Sequence, residues 1–103
     1  MNRLTPKERK AQILQAALDI AAQSGVDRLV VSEVATRVGV TKGLVLHYFS
    51  TMPQLKRAVM RAAVKQEVVS VVARGLALDD PQARKAPDDL RAKAALYLAG
   101  QAA

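Results

Sequence analysis

His47 is the only histidine of the chain, and it stands in the stretch GVTKGLVLHYF, residues 39–49, beside two of the three aromatic residues, Tyr48 and Phe49. A solitary imidazole with no cysteine anywhere and no second histidine lacks the companions that a metal site requires. The same scarcity argues against catalysis, because no nucleophile, base and orienting acid can be assembled, and the carboxylates are scattered or paired at helix starts such as Asp79-Asp80. No enzyme, no metal and no cofactor is therefore expected. What His47 can do is donate a hydrogen bond to a phosphate or a base edge. Thr41 and Lys42 offer a hydroxyl and a cation a few residues earlier, and Gly43 separates them from the apolar residues Leu44, Val45 and Leu46.

The charge balance points the same way. Sixteen Lys and Arg against nine Asp and Glu give a net +7. Residues 1–74 carry twelve basic and five acidic side chains, whereas residues 75–103 carry four of each. The excess is thus confined to the first three quarters, which suits a polyanionic partner there and a different task for the tail. A second reading of the charge, that Lys and Arg solubilise exposed helix faces, stays open on composition alone. The absence of cysteine fits a reducing compartment. No secretory signal or transit peptide is convincing, and the longest apolar run, from Val68, is interrupted by Ser70 and Arg74 and is too short to span a bilayer. A cytoplasmic protein without a membrane partner is the expectation.

With half the residues aliphatic or otherwise apolar and few rings, the core must be built from Ala, Val, Leu and Ile on helices, so the fold class expected is all-α. Thr5-Pro6-Lys7-Glu8 has the form of a capping box with proline in the first turn. Apolar residues from Ile13 to Ala21 then recur at helical spacing up to Ser24-Gly25, which predicts a first helix over about 6–24. VSEVATRV predicts a second over 31–38, and Thr41 can cap a third over 42–49. Ser50 or Thr51 can cap a fourth over 53–74, with Pro53 in its first turn. Asp79-Asp80-Pro81 interrupts, and Pro87-Asp88-Asp89 opens a last amphipathic segment with Leu90, Ala94, Tyr97 and Leu98.

The second and third of these helices fit a helix-turn-helix: Ala35 is small where the pair must approach, Gly39 suits the tight turn, and Val34, Val38, Val40, Val45 and Tyr48 supply the contacts. With Val45 towards the core, a rotation of about 100 degrees per residue sends Gly43 and His47 outward and returns Tyr48 and Phe49 inward. Gly43 then leaves the outer flank bare, at a helix-propensity penalty of roughly 1 kcal/mol. From about Arg9 to Leu55 the sequence also resembles the N-terminal DNA-binding domain of TetR-family transcriptional repressors, through ILQAALDIAAQSG, VSEVATRVGVTKG, then HYF, a polar break and Leu55. The resemblance implies that the helix carrying TKGLVLHY enters the major groove, that the preceding helix positions it and that the start of the fourth holds a phosphate. Thr41, Lys42, Gly43, Leu44, Leu46, His47 and Tyr48 would form the groove side, Ser32 and Thr36 would lie on the positioning helix, and Ser50, Thr51 or Lys56 would meet phosphate. Leu44 and Leu46 stand where the family often has a hydroxyl and a tyrosine, which favours thymine-methyl and shape readout over hydrogen bonds to bases. Val30 stands where a hydroxyl cap would be expected, and Met52-Pro53 replaces the usual charged pair.

Residues 1–56 are accordingly expected to form the DNA-binding domain and 57–103 a helical extension that serves dimerisation. The family's large ligand-binding domain has no counterpart of ordinary size here, so no small-molecule inducer pocket is expected. The function expected is that of a repressor binding double-stranded DNA at an inverted-repeat operator as a homodimer. Alternatives left open are the N-terminal part of a longer ligand-responsive regulator of the same kind, a module that lies on membranes through the basic, amphipathic fourth helix, and a protein-interaction module.

Overall fold

The computed structural model describes residues 3–102; residues 1, 2 and 103, at the outer limits of the two expected domains, lie outside the described residues. Within them the chain is helical, with no strand. The order is α1 (Pro6–Ser24), a 3-10 turn (Val26–Arg28), α2 (Val31–Val38), α3 (Lys42–Tyr48), α4 (Met52–Lys65), α5 (Val69–Ala77), α6 (Pro81–Arg84) and α7 (Asp88–Ala102).

Helix α1 begins as its capping sequence requires. The Glu8 backbone N–H donates to Thr5 Oγ1 at 3.1 Å, and the Thr5 N–H donates back to Glu8 Oε1 at 3.2 Å. Those bonds hold the Glu8 carboxyl below its ordinary pKa, the Thr5 side chain contributing most. One face of α1, with Ile13, Ala17, Leu18, Ile20 and Ala21, is buried and packs on both α2 and α4. From there a single apolar core runs through Val34, Val45, Leu55, Val59 and Met60 to Val71, Val72, Ala83, Leu90 and Ala94. Its contents are almost wholly aliphatic, and no polar or charged residue is buried among the described residues.

The fourth helix is where the structure departs from the sequence pattern. Instead of one helix over 53–74, α4 stops at Lys65 and α5 starts at Val69. Glu67 takes a left-handed conformation (φ 56°), and the Val68 N–H closes back on the Ala63 carbonyl at 2.9 Å. An uninterrupted helix over 53–74 would extend roughly 33 Å and carry Val71, Val72 and Ala73 straight on along the axis of α4. The break folds those residues back under α1 and α4, where all three are buried. Burying them outweighs the cost of about 1 to 2 kcal/mol for a left-handed non-glycine residue. Gly75 makes the new packing feasible, since a Cβ there would fall 2.5 Å from Met60 Cε and 2.7 Å from Ala83 Cβ.

After α5 the chain turns through Asp79 (φ 59°), and Asp80 caps the short α6 by accepting from the Gln82 and Ala83 N–H groups. Helix α7 lies along α5 with Leu90 and Ala94 buried and Leu98 half-buried. Tyr97, expected with this inner set, is 40 % exposed, and Leu96 is 75 % exposed. The outer flank of α7, with Ala92, Ala95, Leu96 and Ala99, is therefore apolar and uncovered.

Candidate nucleic-acid interface

The turn between α2 and α3 is set by Gly39, whose left-handed conformation (φ 82°, ψ 36°) lets its own N–H and that of Val40 both reach the Ala35 carbonyl, at 2.8 and 3.0 Å. Glycine occupies this region without the steric penalty of a side chain. Thr41 then caps α3, its Oγ1 accepting from the Leu44 N–H at 3.1 Å. The hydroxyl proton of Thr41 remains available to a further acceptor. Val30 provides no such bond for α2, so that helix starts uncapped by any side chain.

Helix α3 is anchored through Val45, which is 0 % exposed, and through Phe49, buried at its C-terminal end. These two fix the rotation of the helix about its axis. Thr41, Lys42, Gly43, Leu46 and His47 consequently face solvent, while Leu44 and Tyr48 are half-buried at the flanks. Five of the seven residues expected on the groove side are thus accessible, and Leu44 and Tyr48 lie along the edges of their strip. A Cβ added to Gly43 would meet only Thr41 Oγ1, at 3.8 Å, so nothing in the fold itself requires glycine there. His47 and Tyr48 pack edge to face, with ring centroids 5.0 Å apart and planes at 80°. This contact props the imidazole against a partly buried ring instead of leaving it to rotate freely.

On α2, which packs against both α1 and α3, Ser32 and Thr36 are exposed one turn apart. At the start of α4, Thr51 is the capping residue, accepting from the Gln54 N–H at 3.3 Å, with Pro53 in the first turn. Ser50 and Thr51 are both exposed. Lys56, by contrast, is half-buried and lines the groove between α4 and α6 beside Arg57 and Asp80.

Two features were not foreseen from sequence. The Lys10 ammonium of α1 sits over the Phe49 ring, 5.4 Å from its centroid, and brings a cation from the first helix to the end of α3. Arg74 of α5 grips Asp27 of the 3-10 turn with two bonds, Nε to Oδ1 at 3.0 Å and Nη2 to Oδ2 at 2.8 Å. The hydrogen bonds from Arg74, aided by its charge, hold the Asp27 carboxyl down at a pKa of about 2. This pair fixes the turn that leads into α2. Both contacts join residues far apart in sequence, and neither Lys10 nor Arg74 carries a local signal of its partner.

The comparisons with known proteins agree with this geometry. Residues 13–59 match the family model described as bacterial regulatory proteins, tetR family. The match runs from the first core residue of α1 through α2 and α3 into α4. The chain is also similar to the HTH-type transcriptional regulator BetI of Yersinia pestis (strain Pestoides F), 30 % identical over 78 residues that make up 74 % of this chain and 39 % of the relative. Similarity to the regulator of the same name from Klebsiella pneumoniae (strain 342) is 33 % over 75 residues, 73 % of this chain and 38 % of that protein. The chain therefore spans less than two fifths of the length of these curated relatives over the matched stretch.

Proposed function

We propose that this chain, which belongs to the tetR family of bacterial regulatory proteins through its residues 13–59, is a DNA-binding regulator of transcription that represses by occupying an inverted-repeat operator as a homodimer. The observation that carries the reading is the accessible strip of α3, held outward by the burial of Val45 and Phe49. Gly43 lets the strip approach the floor of the major groove, Leu44 and Leu46 meet thymine methyls, and His47 donates to a base edge or phosphate. Lys42 and the Thr41 hydroxyl meet the phosphate backbone, Tyr48 fills the flank, and Ser32, Thr36, Thr51 and Lys56 add backbone contacts that fix orientation.

In this reading residues 1–56 do the DNA binding and 57–103 the pairing of protomers. That division is one of task, since the core is continuous across it. The uncovered apolar flank of α7 supports the pairing: Leu96 is 75 % exposed, and Ala92, Ala95 and Ala99 let a second helix approach closely. A two-fold arrangement would set the two α3 helices about one DNA turn apart. The place of action would be the cytoplasm, where the DNA is. No helix among the described residues is long and apolar enough to cross a membrane. The apolar face of α4, with Leu55, Val59, Met60 and Ala63, is spent on the core and is not free to lie in a bilayer surface.

Selection of bound oligonucleotides from a random duplex pool, with the stoichiometry of the complex measured by sedimentation, tests the proposal. An enriched inverted repeat bound by two protomers is expected. Enrichment of a single half-site bound by one protomer would remove the homodimer, and no enrichment at all would remove sequence-specific repression.

A further inference from the structure

Helix α4 holds Lys56, Arg57, Arg61 and Lys65 and not one acidic residue. Among the described residues the ion pairs are Arg74–Asp27, Arg84–Asp79 and Arg91–Asp88, and none reaches α4. Arg61 has only the neutral Gln82 side chain as a partner, through Nε at 3.2 Å. Arg57, Arg61 and Lys65 recur every fourth residue along one side, an arrangement of like charges that destabilises the helix carrying it.

Two members of this row, Arg61 and Lys65, border an open groove of about 420 Å³ between α1 and α4. The floor is apolar and made of Leu14, Ala58 and Ala62, and the edge is Arg61, Lys65 and Gln66. Gln66 closes one end by donating from Nε2 to Gln15 Oε1 at 3.1 Å. No carboxylate lines the groove.

We propose that this groove docks an acidic amphipathic helix of a partner protein, with the apolar stripe of the helix on Leu14, Ala58 and Ala62 and its carboxylates on Arg61 and Lys65. Charge complementarity selects the sign of the partner, and the floor selects its form. A trough between two helices is filled by a third, and alanines one turn apart let the incoming backbone come close. A nucleic-acid duplex would satisfy the cations but has no apolar ridge for the floor. A bilayer is flat, and would meet the cations without reaching the half-buried alanines between them. None of the lining residues lies in α2 or α3, so the docking does not depend on how the chain reads DNA.

The test is isothermal titration calorimetry of the full chain with a synthetic helix-forming peptide of about eighteen residues, carrying leucine at helical spacing on one face and glutamate on the flanks. The controls are a peptide with lysine in place of glutamate and one with the leucines shuffled. Binding in the micromolar range is expected for the first peptide alone, weakened about tenfold or more by Lys65→Glu and by Ala62→Glu and by less than about twofold by Lys42→Glu. Absence of binding overturns the proposal. So does equal binding of the lysine or the shuffled peptide, equal weakening by Lys42→Glu, or capture of phosphatidylglycerol vesicles by a chain that ignores the glutamate peptide. Lys65 is exposed and Lys65→Glu is expected to keep the fold, so the result stands even where Ala62→Glu does not fold.

Discussion

Replacing Gly43 by Ala separates what the fold wants from what DNA binding wants. In the free protein the new methyl group points into solvent and has Thr41 Oγ1 as its nearest neighbour, at 3.8 Å. No clash opposes it, and helix propensity favours alanine by up to about 1 kcal/mol, less in a first turn than in a helix interior. Thermal denaturation should therefore show a stability unchanged or slightly raised. In the proposed complex with DNA the same methyl group would lie between the helix and the groove floor. Forcing a methyl into a closely packed contact costs about 1 to 3 kcal/mol, which corresponds to a loss of affinity of roughly five- to 150-fold. Fluorescence anisotropy with the selected operator, at one fixed salt concentration, reads this directly. A Gly43→Ala protein that is at least as stable as the parent and binds the operator equally well would refute the close approach of α3.

Other outcomes follow from the same structure. Lys42→Ala should weaken binding to all sequences and reduce the slope of log affinity against log salt by about one, as loss of a single phosphate contact requires; an unchanged slope would separate Lys42 from phosphate. Gly75→Ala should destabilise the fold by about 1 to 3 kcal/mol in urea denaturation, because its Cβ falls within 2.7 Å of both Met60 and Ala83. Asp27→Asn should lower the melting temperature by at most a few degrees, since the ion pair is only partly shielded from water. The lowered pKa of Asp27 means that its contribution is complete above the ordinary aspartate value of 3.8 and is lost as the pH falls through about 2. Parent and variant should accordingly differ at pH 6 and converge below about pH 2. Leu96→Glu should leave the monomer folded and, in sedimentation, abolish any dimer, given the exposure of that side chain.

The elements that were legible in the sequence are those whose signals are local. The capping box of α1, the left-handed glycine between α2 and α3 and the threonine caps of α3 and α4 each lie within four residues of the bonds they make. The outward placement of Gly43 and His47 follows from helix rotation with Val45 as the anchor. Features that depend on tertiary packing were not legible. The break at Glu67 has neither glycine nor proline to announce it, and its cause is the burial of Val71 and Val72 against helices distant in sequence. Gly75 reads as a helix end, yet its role is to admit Met60 and Ala83. Tyr97 shares the spacing of an inner residue but turns outward beside Leu96, because α7 is so rich in alanine that its pattern barely distinguishes one face from another.

The most direct measurement of the central claim is a titration of the isotope-labelled protein with the selected operator duplex, followed by the backbone amide resonances. The account predicts that the largest perturbations fall on Thr41–Tyr48, with smaller ones on Ser32, Thr36 and Thr51, while the outer flank of α7 stays unmoved by DNA. Perturbations concentrated on α4 to α7, with the α3 amides unaffected at saturation, would contradict it.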